Sequence, residues 1–553
     1  MGEVTKKSGK ANEQTVGVLV IGLYDPGMTP LLRAGLGGLA ASLRARYLEQ
    51  DRGANWLQAD DTKVNVPIGD GVAEVESQKI TLRFGPGGPK PFLQSLFEHA
   101  FRLREPHKVI DLPGTYEVTK PVRLSLLAAG HTAVTLTFLQ HGKSRPKAGP
   151  ARTVSIDREE SLEQLLIHPV ASYAHQGVWE EIAAAIPGRT LRLAGWANPG
   201  AAGRHYSYPE TNLGYTPAQA LCGCFALVGC LSLQGSHNSG ILITLEPDHL
   251  LRFAAVRPLL APQKLADAFV TGASDAVLTI ESALRMERGS ELFRHRGVGN
   301  VTGVLMRATP WDQKQKYRAR MIEPLSIEDA ILEQYASAAH VLPTKMRILS
   351  DVKEGKDSFF PIYSELRAFI SENLATGRRW FQDFATAKTD DPKRPKFLHR
   401  YWGKDDDLGA LRPEERKGLI TMTTHLSAAE QSLVRSVHLA LRLRYGAIAE
   451  ECQGNETLRS KRFQKEYDRW RFSLAGSKTH EQVRAVLTDL WSRAGRNSEL
   501  QSHWQEIIPL LRADQWQTAR DLSLLALASY SRLESKPDSD LAAEPSSFLA
   551  QVS

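Results

Sequence analysis

Val16-Gly-Val-Leu-Val-Ile-Gly-Leu23 runs into Tyr24-Asp-Pro-Gly-Met-Thr-Pro30 and then Leu31-Leu-Arg-Ala-Gly-Leu-Gly-Gly-Leu-Ala-Ala-Ser-Leu43. The first eight residues are apolar and largely β-branched, which predicts a short buried strand. Pro26-Gly27 makes a tight turn, and the small residues after it give a helix one face that another element can approach closely. Gly35-Leu-Gly37-Gly38-Leu-Ala40 also fits the dinucleotide pattern G-x-G-x-x-A. The strand ends near Leu23, however, so the loop is too long for the strand–turn–helix that this pattern requires. A cofactor enzyme built around Gly35–Ala40 remains an alternative that a bound nucleotide would reveal.

Downstream, Gln78–Phe84 alternates strictly, with Ile80, Leu82 and Phe84 on one side and Lys79, Thr81 and Arg83 on the other. That predicts a half-buried strand with a basic polar face. Phe92–Leu103 repeats apolar residues at helical spacing. Ala133–Leu139, Gly240–Leu245 and Val301–Met306 are further strand candidates, and Lys143–Arg152 is a proline-broken basic loop. From about Ser326 strand signals give way to helical periodicity, with Glu328 and Asp329 in an acidic first turn. Segments 427–451, 456–475, 480–494 and 500–531 predict an antiparallel bundle. The expected fold class is α+β, a mixed α/β N-terminal part followed by an all-α C-terminal helical bundle. The boundaries expected are a tail at 1–14, an α/β part at 15–325, a helical connecting region at 326–412, the bundle at 413–533 and a tail at 534–553.

A chain of 553 residues exceeds one core. Its 42% hydrophobic and 24% charged residues are ordinary globular values, and a net charge of +7 leans only mildly towards an anionic partner. Three of the four cysteines, Cys222, Cys224 and Cys230, sit in the apolar run Ala220–Leu233 and suit buried side chains. Cys452 stands apart, and no second ligand pair at zinc spacing supports a metal site. The polar opening Met1–Gln14 lacks a secretory pattern, and Ala220–Leu233 is too short to span a bilayer. These features predict a cytoplasmic protein with no membrane partner.

Catalytic signals are poor. No G-x-S-x-G elbow occurs, Asp60-Asp61 and Asp405-Asp406-Asp407 lie in polar loops, and the histidines are scattered singly. The chain is therefore expected not to be an enzyme and to need no cofactor or metal. Nucleic-acid signals are better. Arg459, Lys461, Arg462, Lys465, Arg469 and Arg471 interleave with Phe463, Tyr467, Trp470 and Phe472. Cations neutralise phosphates, and aromatic faces stack unpaired bases. The same pattern also describes a bundle core beside a solvated basic face, and both readings can hold together. Arg378-Arg379-Trp380 and Lys393–Trp402, with Lys393 and Arg394 at its start, are weaker patches. The polar loops Asn198–Tyr208 and Gln234–Ser239 offer Asn198, Arg204, Gln234, His237 and Asn238 to base edges, although each also reads as an ordinary turn.

Tyr24–Leu43, with Arg33-Ala-Gly35-Leu-Gly-Gly38-Leu opening a helix, resembles the N-terminal segment of the large subunit of type I CRISPR complexes, in particular the Cas-eight type of the myxobacterial subtype. The motif covers about 20 residues, and the α/β-then-bundle layout is similar over the whole chain. The resemblance implies a non-catalytic large subunit of a Cascade ribonucleoprotein that recognises the protospacer-adjacent motif and helps open the duplex. Its implied partners are guide CRISPR RNA, target double-stranded DNA, backbone and handle-binding subunits, and a helicase-nuclease or transposition adaptor. The terminal bundle resembles the separate small subunit that lines the displaced strand. Met422 stands just before the bundle, and Glu414-Glu415-Arg416-Lys417-Gly418 would be encoded largely by purines, as a ribosome-binding site is. A small subunit could thus arise from an internal start there. A general nucleic-acid adapter in transposition or recombination is the main alternative.

Overall fold

The structure, a computed structural model, describes residues 17–57, 62–140, 142–157, 162–186, 188–193, 214–286, 297–307, 318–322, 327–351, 356–386, 411–452 and 454–530. The chain divides into two units, Met1–Ala336 with Pro343–Gly377, and Ser337–Leu342 with Arg378–Ser553. The first is mixed α/β and the second helical among the described residues, the expected fold class.

In the first unit, strand β1 (Val18–Gly22) pairs antiparallel with β4 (Lys79–Arg83), in a four-stranded sheet with β2 (Lys63–Ile68) at the other edge and β3 (Gly71–Glu76) inside. The expectation of a buried β1 needs correction. As an edge strand it leaves Val18 41% and Val20 52% exposed, and only Ile21 faces the core fully. On β4, Ile80 and Leu82 are buried as the alternation predicts, but so is Thr81. The basic face is neutralised: Glu74 holds Arg83 at 2.8 Å and Lys63 at 2.9 Å, and Glu76 lies 3.4 Å from Lys79. These two cations draw the Glu74 carboxyl down to about 2.

A second sheet of five strands has the order Phe269–Val270, Leu231–Gly235, Ser239–Pro247, Val298–Arg307, Arg318–Ile322. Its middle strand, Ser239–Pro247, is buried along its whole length. Ala133–Leu139 is no strand; its first four residues end the helix Leu124–Leu136. The apolar stretch beginning at Leu124 gives that segment a helical period, and its threonines fit because their hydroxyls bond back to helix carbonyls. Thr132 donates to Ala128 O at 3.0 Å and Thr137 to Ala133 O at 2.9 Å. Strands also persist past Ser326, since Lys345–Asp351 and Lys356–Ile362 form an antiparallel hairpin where helix alone was expected.

The second unit contains helices Pro413–Met422, Ala428–Glu451, Glu456–Gly476, His480–Ala494, Ser498–Ile507 and Trp516–Ser529. The predicted single segment 500–531 is two helices, because Pro509 has no N–H to continue the ladder. Ser427 caps its helix reciprocally with Glu430, and Asn455, Thr479 and Asn497 cap the next three.

Candidate nucleic-acid interface

The opening motif builds a helix–helix contact. Pro30–Gln50 and Pro217–Gly229 both begin with Thr-Pro, the threonine accepting a backbone N–H and the proline occupying the first turn. The two helices then meet backbone to backbone. A Cβ on Gly35 would lie 1.9 Å from Cys222 O, on Gly38 2.1 Å from Phe225 O, and on Gly229 1.7 Å from Ala34 O. Cys222 and Cys224 are buried and free beside this contact, and burial pushes both thiols far up. The helix backbone that fills the glycine face leaves no room for a nucleotide. Gly27, at φ +83°, makes the turn before the first helix, and Gln219 Nε2 donates to Pro26 O at 3.5 Å. Arg33 is ion-paired with Glu246 on the middle strand of the five-stranded sheet.

Polar loop candidates lie at the end of that sheet. Gln234 donates its side-chain amide to Ala129 O at 3.0 Å, so this donor is satisfied within the unit. Asn238 sits at the hairpin tip, exposed and at φ +56°, a left-handed conformation that asparagine tolerates. His237 occupies the single 3-10 turn Ser236–Asn238 beside it. Asn198 and Arg204, with the rest of Asn198–Tyr208, lie outside the described residues, as do Lys393 and Arg394.

On the helix Glu456–Gly476 both readings of the basic-aromatic run apply, each to different residues. Phe463, Tyr467 and Trp470 are buried with Leu474, so these rings are core and present no face for a base. Phe463 stands edge-on to Tyr445 at 4.9 Å. Phe472 alone of the four aromatics is exposed, at 65%, and Arg471 stacks on its ring at 4.3 Å. All four arginines of the run have carboxylate partners: Arg459 with Glu456 at 2.8 Å, Arg462 with Glu451 at 2.6 Å, Arg469 with Asp489 at 2.8 Å and Arg471 with Asp468 at 3.1 Å. Lys461 and Lys465 are exposed and have no ion-pair partner among the described residues. They are four apart, hence on one helix face.

Arg378 and Arg379 are likewise engaged, with Asp383 at 3.0 Å and Glu430 at 2.6 Å, and Arg379 also covers the Phe381 ring at 4.6 Å. Trp380 beside them is buried. The structure adds two cations that composition did not single out. Arg435 and Arg442, seven apart on Ala428–Glu451, are exposed and unpaired among the described residues. Their spacing was the available signal, since i and i+7 share a helical face.

Two of the isolated histidines, His131 and His438, serve structure. His131 is buried, accepting the Ile110 N–H at Nδ1 (3.1 Å) while Nε2 meets His168 O at 2.9 Å, and His438 Nε2 meets Ala526 O at 2.9 Å. Burial lowers both to about 4, so both rings are neutral near pH 7. Among the described residues no cluster of His, Cys, Asp or Glu could hold a metal ion, and no helix is long and apolar enough to cross a membrane.

Residues 20–224 match the family DevT N-terminal domain, and residues 422–549 match the DevT C-terminal domain. The chain is 44% identical over 517 residues, 93% of its own length and 88% of the relative's, to a protein of Myxococcus xanthus (strain DK1622) named CRISPR-associated protein Cas8a1/Csx13. An identity of that extent, with both domains in order, places the chain in the family of CRISPR-associated Cas8a1/Csx13 proteins.

Proposed function

We propose that this chain is the non-catalytic large subunit of a type I CRISPR RNA-guided surveillance complex (Cascade), acting in antiviral defence or RNA-guided transposition. The observation that carries the reading is the family relationship, which extends through both units. In such a complex base pairing with the guide reads sequence, and the protein reads a short flanking motif and duplex shape. The second unit suits a backbone-tracking role on the displaced strand. Lys461, Lys465, Arg435 and Arg442 supply exposed cations that are unpaired among the described residues, and Phe472 supplies an exposed ring with Arg471 stacked on it.

For motif reading, Asn198, Arg204, Gln234, His237 and Asn238 are the candidates with side chains of the right chemistry, Gln234 having one amide N–H already given to Ala129 O. The test is purification with the products of neighbouring genes, followed by binding to a duplex library randomised beside the target. Guide RNA should co-purify, and alanine at Arg204, His237 and Asn238 should weaken preference for one flanking motif. Nucleic-acid binding without guide RNA would instead favour a general adapter.

The small-subunit part of the reading rests on Met422, where the C-terminal family match begins. Met422 is fully buried at the end of its helix, so Met422→Leu is a volume-conserving change that leaves folding intact. It should abolish a bundle fragment seen by mass spectrometry in the purified complex. Absence of that fragment from the unaltered complex would remove the idea.

A further inference from the structure

Beneath the helix Leu124–Leu136 lies a cavity of about 560 Å³, a size typical of small-molecule sites. Its wall is mostly apolar, with Leu112, Leu127, Val134 and Leu227 among the lining residues. Among its polar lining residues one is a deeply buried cation. Arg257 lines the cavity and is 2% exposed. Its Nε donates to Val228 O and its Nη2 to Cys230 O, both at 2.8 Å, which satisfies two carbonyls at the end of the helix Pro217–Gly229. Its Nη1 is buried with no hydrogen-bond partner. Burial lowers Arg257 to about 10, so the guanidinium stays charged at neutral pH.

A buried charge without a counter-charge is costly and is ordinarily neutralised by an ion of opposite sign. No protein carboxylate does so among the described residues. Glu117, on the same wall, is already paired with Arg44 at 2.7 Å. Lys120 and Arg123 also line the cavity, are exposed, and add positive charge on its solvent side. His131 lines it too, as a neutral ring.

We infer that this cavity binds a small organic anion, its carboxylate or phosphate head drawn by the uncompensated charge of Arg257 together with Lys120 and Arg123, and its apolar body against Leu112, Leu127, Val134 and Leu227. The site is separate from the cations of the second unit and does not depend on the proposed CRISPR role.

Titration calorimetry on the full chain tests it, using decanoate and adenosine monophosphate beside their uncharged counterparts decanol and adenosine. At least one anion should bind, with its uncharged counterpart at least ten-fold weaker, as expected when a charge-assisted bond is lost. Gly130 provides the blocking variant. It lines the cavity within the helix, and a Cβ added there meets nothing within 4 Å. Gly130→Leu should therefore fold, shown by an unchanged circular dichroism melt, and lose at least ten-fold in affinity. The inference is overturned if neither anion binds, if the uncharged counterpart binds as tightly, or if the folded Gly130→Leu variant keeps its affinity. The comparison of charged with uncharged ligand on the unaltered protein decides the matter even should the variant not fold.

Discussion

The two units hold their helices together by opposite means. In the first, Pro30–Gln50 and Pro217–Gly229 meet through Gly35, Gly38 and Gly229 with no side chain between them. In the second, Phe463, Tyr467 and Trp470 fill the space around Glu456–Gly476 with rings. Backbone contact tolerates no added atom, whereas a ring-filled contact fails by leaving a void. The contrast separates two meanings of a motif. The glycine stretch is dictated by packing alone, while the basic-aromatic stretch serves core and surface at once.

The sharpest way to break the comparison is to add atoms to the first contact. Gly229→Val would set a branched side chain where even a Cβ lies 1.7 Å from Ala34 O. The helices must separate, and the expected loss is on the order of 4 kcal/mol or more, the range of severe core disruption. Limited proteolysis should show residues 30–50 and 217–229 newly cleaved, and wild-type protection there would mean that the backbones do not meet as described.

Removing atoms from the second contact should do less. Trp470→Ala deletes a buried indole that is 1% exposed, and about 3–5 kcal/mol is usual for such a truncation. Chemical denaturation followed by circular dichroism measures it. A change below about 1 kcal/mol would place Trp470 at the surface after all, and would return it to the set of candidate base-stacking rings.

These outcomes bear on what could be read from the sequence. The Thr-Pro-Leu-Leu-Arg-Ala-Gly-Leu-Gly-Gly run announces its helix through cap, proline and small residues, all local signals. Which helix it meets is non-local, and nothing in residues 16–43 names Pro217–Gly229. The same limit governs the charges. Arg378-Arg379 looks like a free basic patch until the fold brings Glu430, 51 residues away, onto Arg379. Asp489, 20 residues on, does the same for Arg469. Ala133–Leu139 misled for another reason: over seven residues, alternating threonines and apolar residues fit a strand and a helix end alike. Chemistry was legible as residue type, and availability was legible only in space.

Acid should weaken both units, since each holds a histidine that desolvation keeps neutral, the buried His131 in the first and the partly buried His438 in the second. Their folded values are about 4 against an ordinary 6.5. Between those limits the unfolded chain binds protons that the folded chain refuses, so stability falls as pH drops from about 6.5 towards 4 and is fully retained above that window. His438→Asn should flatten the bundle's share of this dependence in melts recorded across pH. An unaltered slope would show that His438 is protonated in place.

The smallest effect on stability should come from the residues with the greatest bearing on function. Lys461 and Lys465 are exposed and unpaired among the described residues, so Lys461→Ala with Lys465→Ala should leave the denaturation midpoint within the roughly 0.5 kcal/mol expected of surface changes. If both contact a single strand, the slope of log affinity against log salt should fall by about 1.4, two phosphates at about 0.7 each. Arg469→Ala is the matched control on the same helix. Its guanidinium already holds Asp489 at 2.8 Å, and nucleic acid must break that pair to use it. Its removal should therefore change the slope less than either lysine does. If Arg469→Ala has the larger effect, the pair opens on binding and the interface centres on the Trp470 side of the helix; if neither does, the bundle meets nucleic acid through another face, with Arg435 and Arg442 next to be replaced.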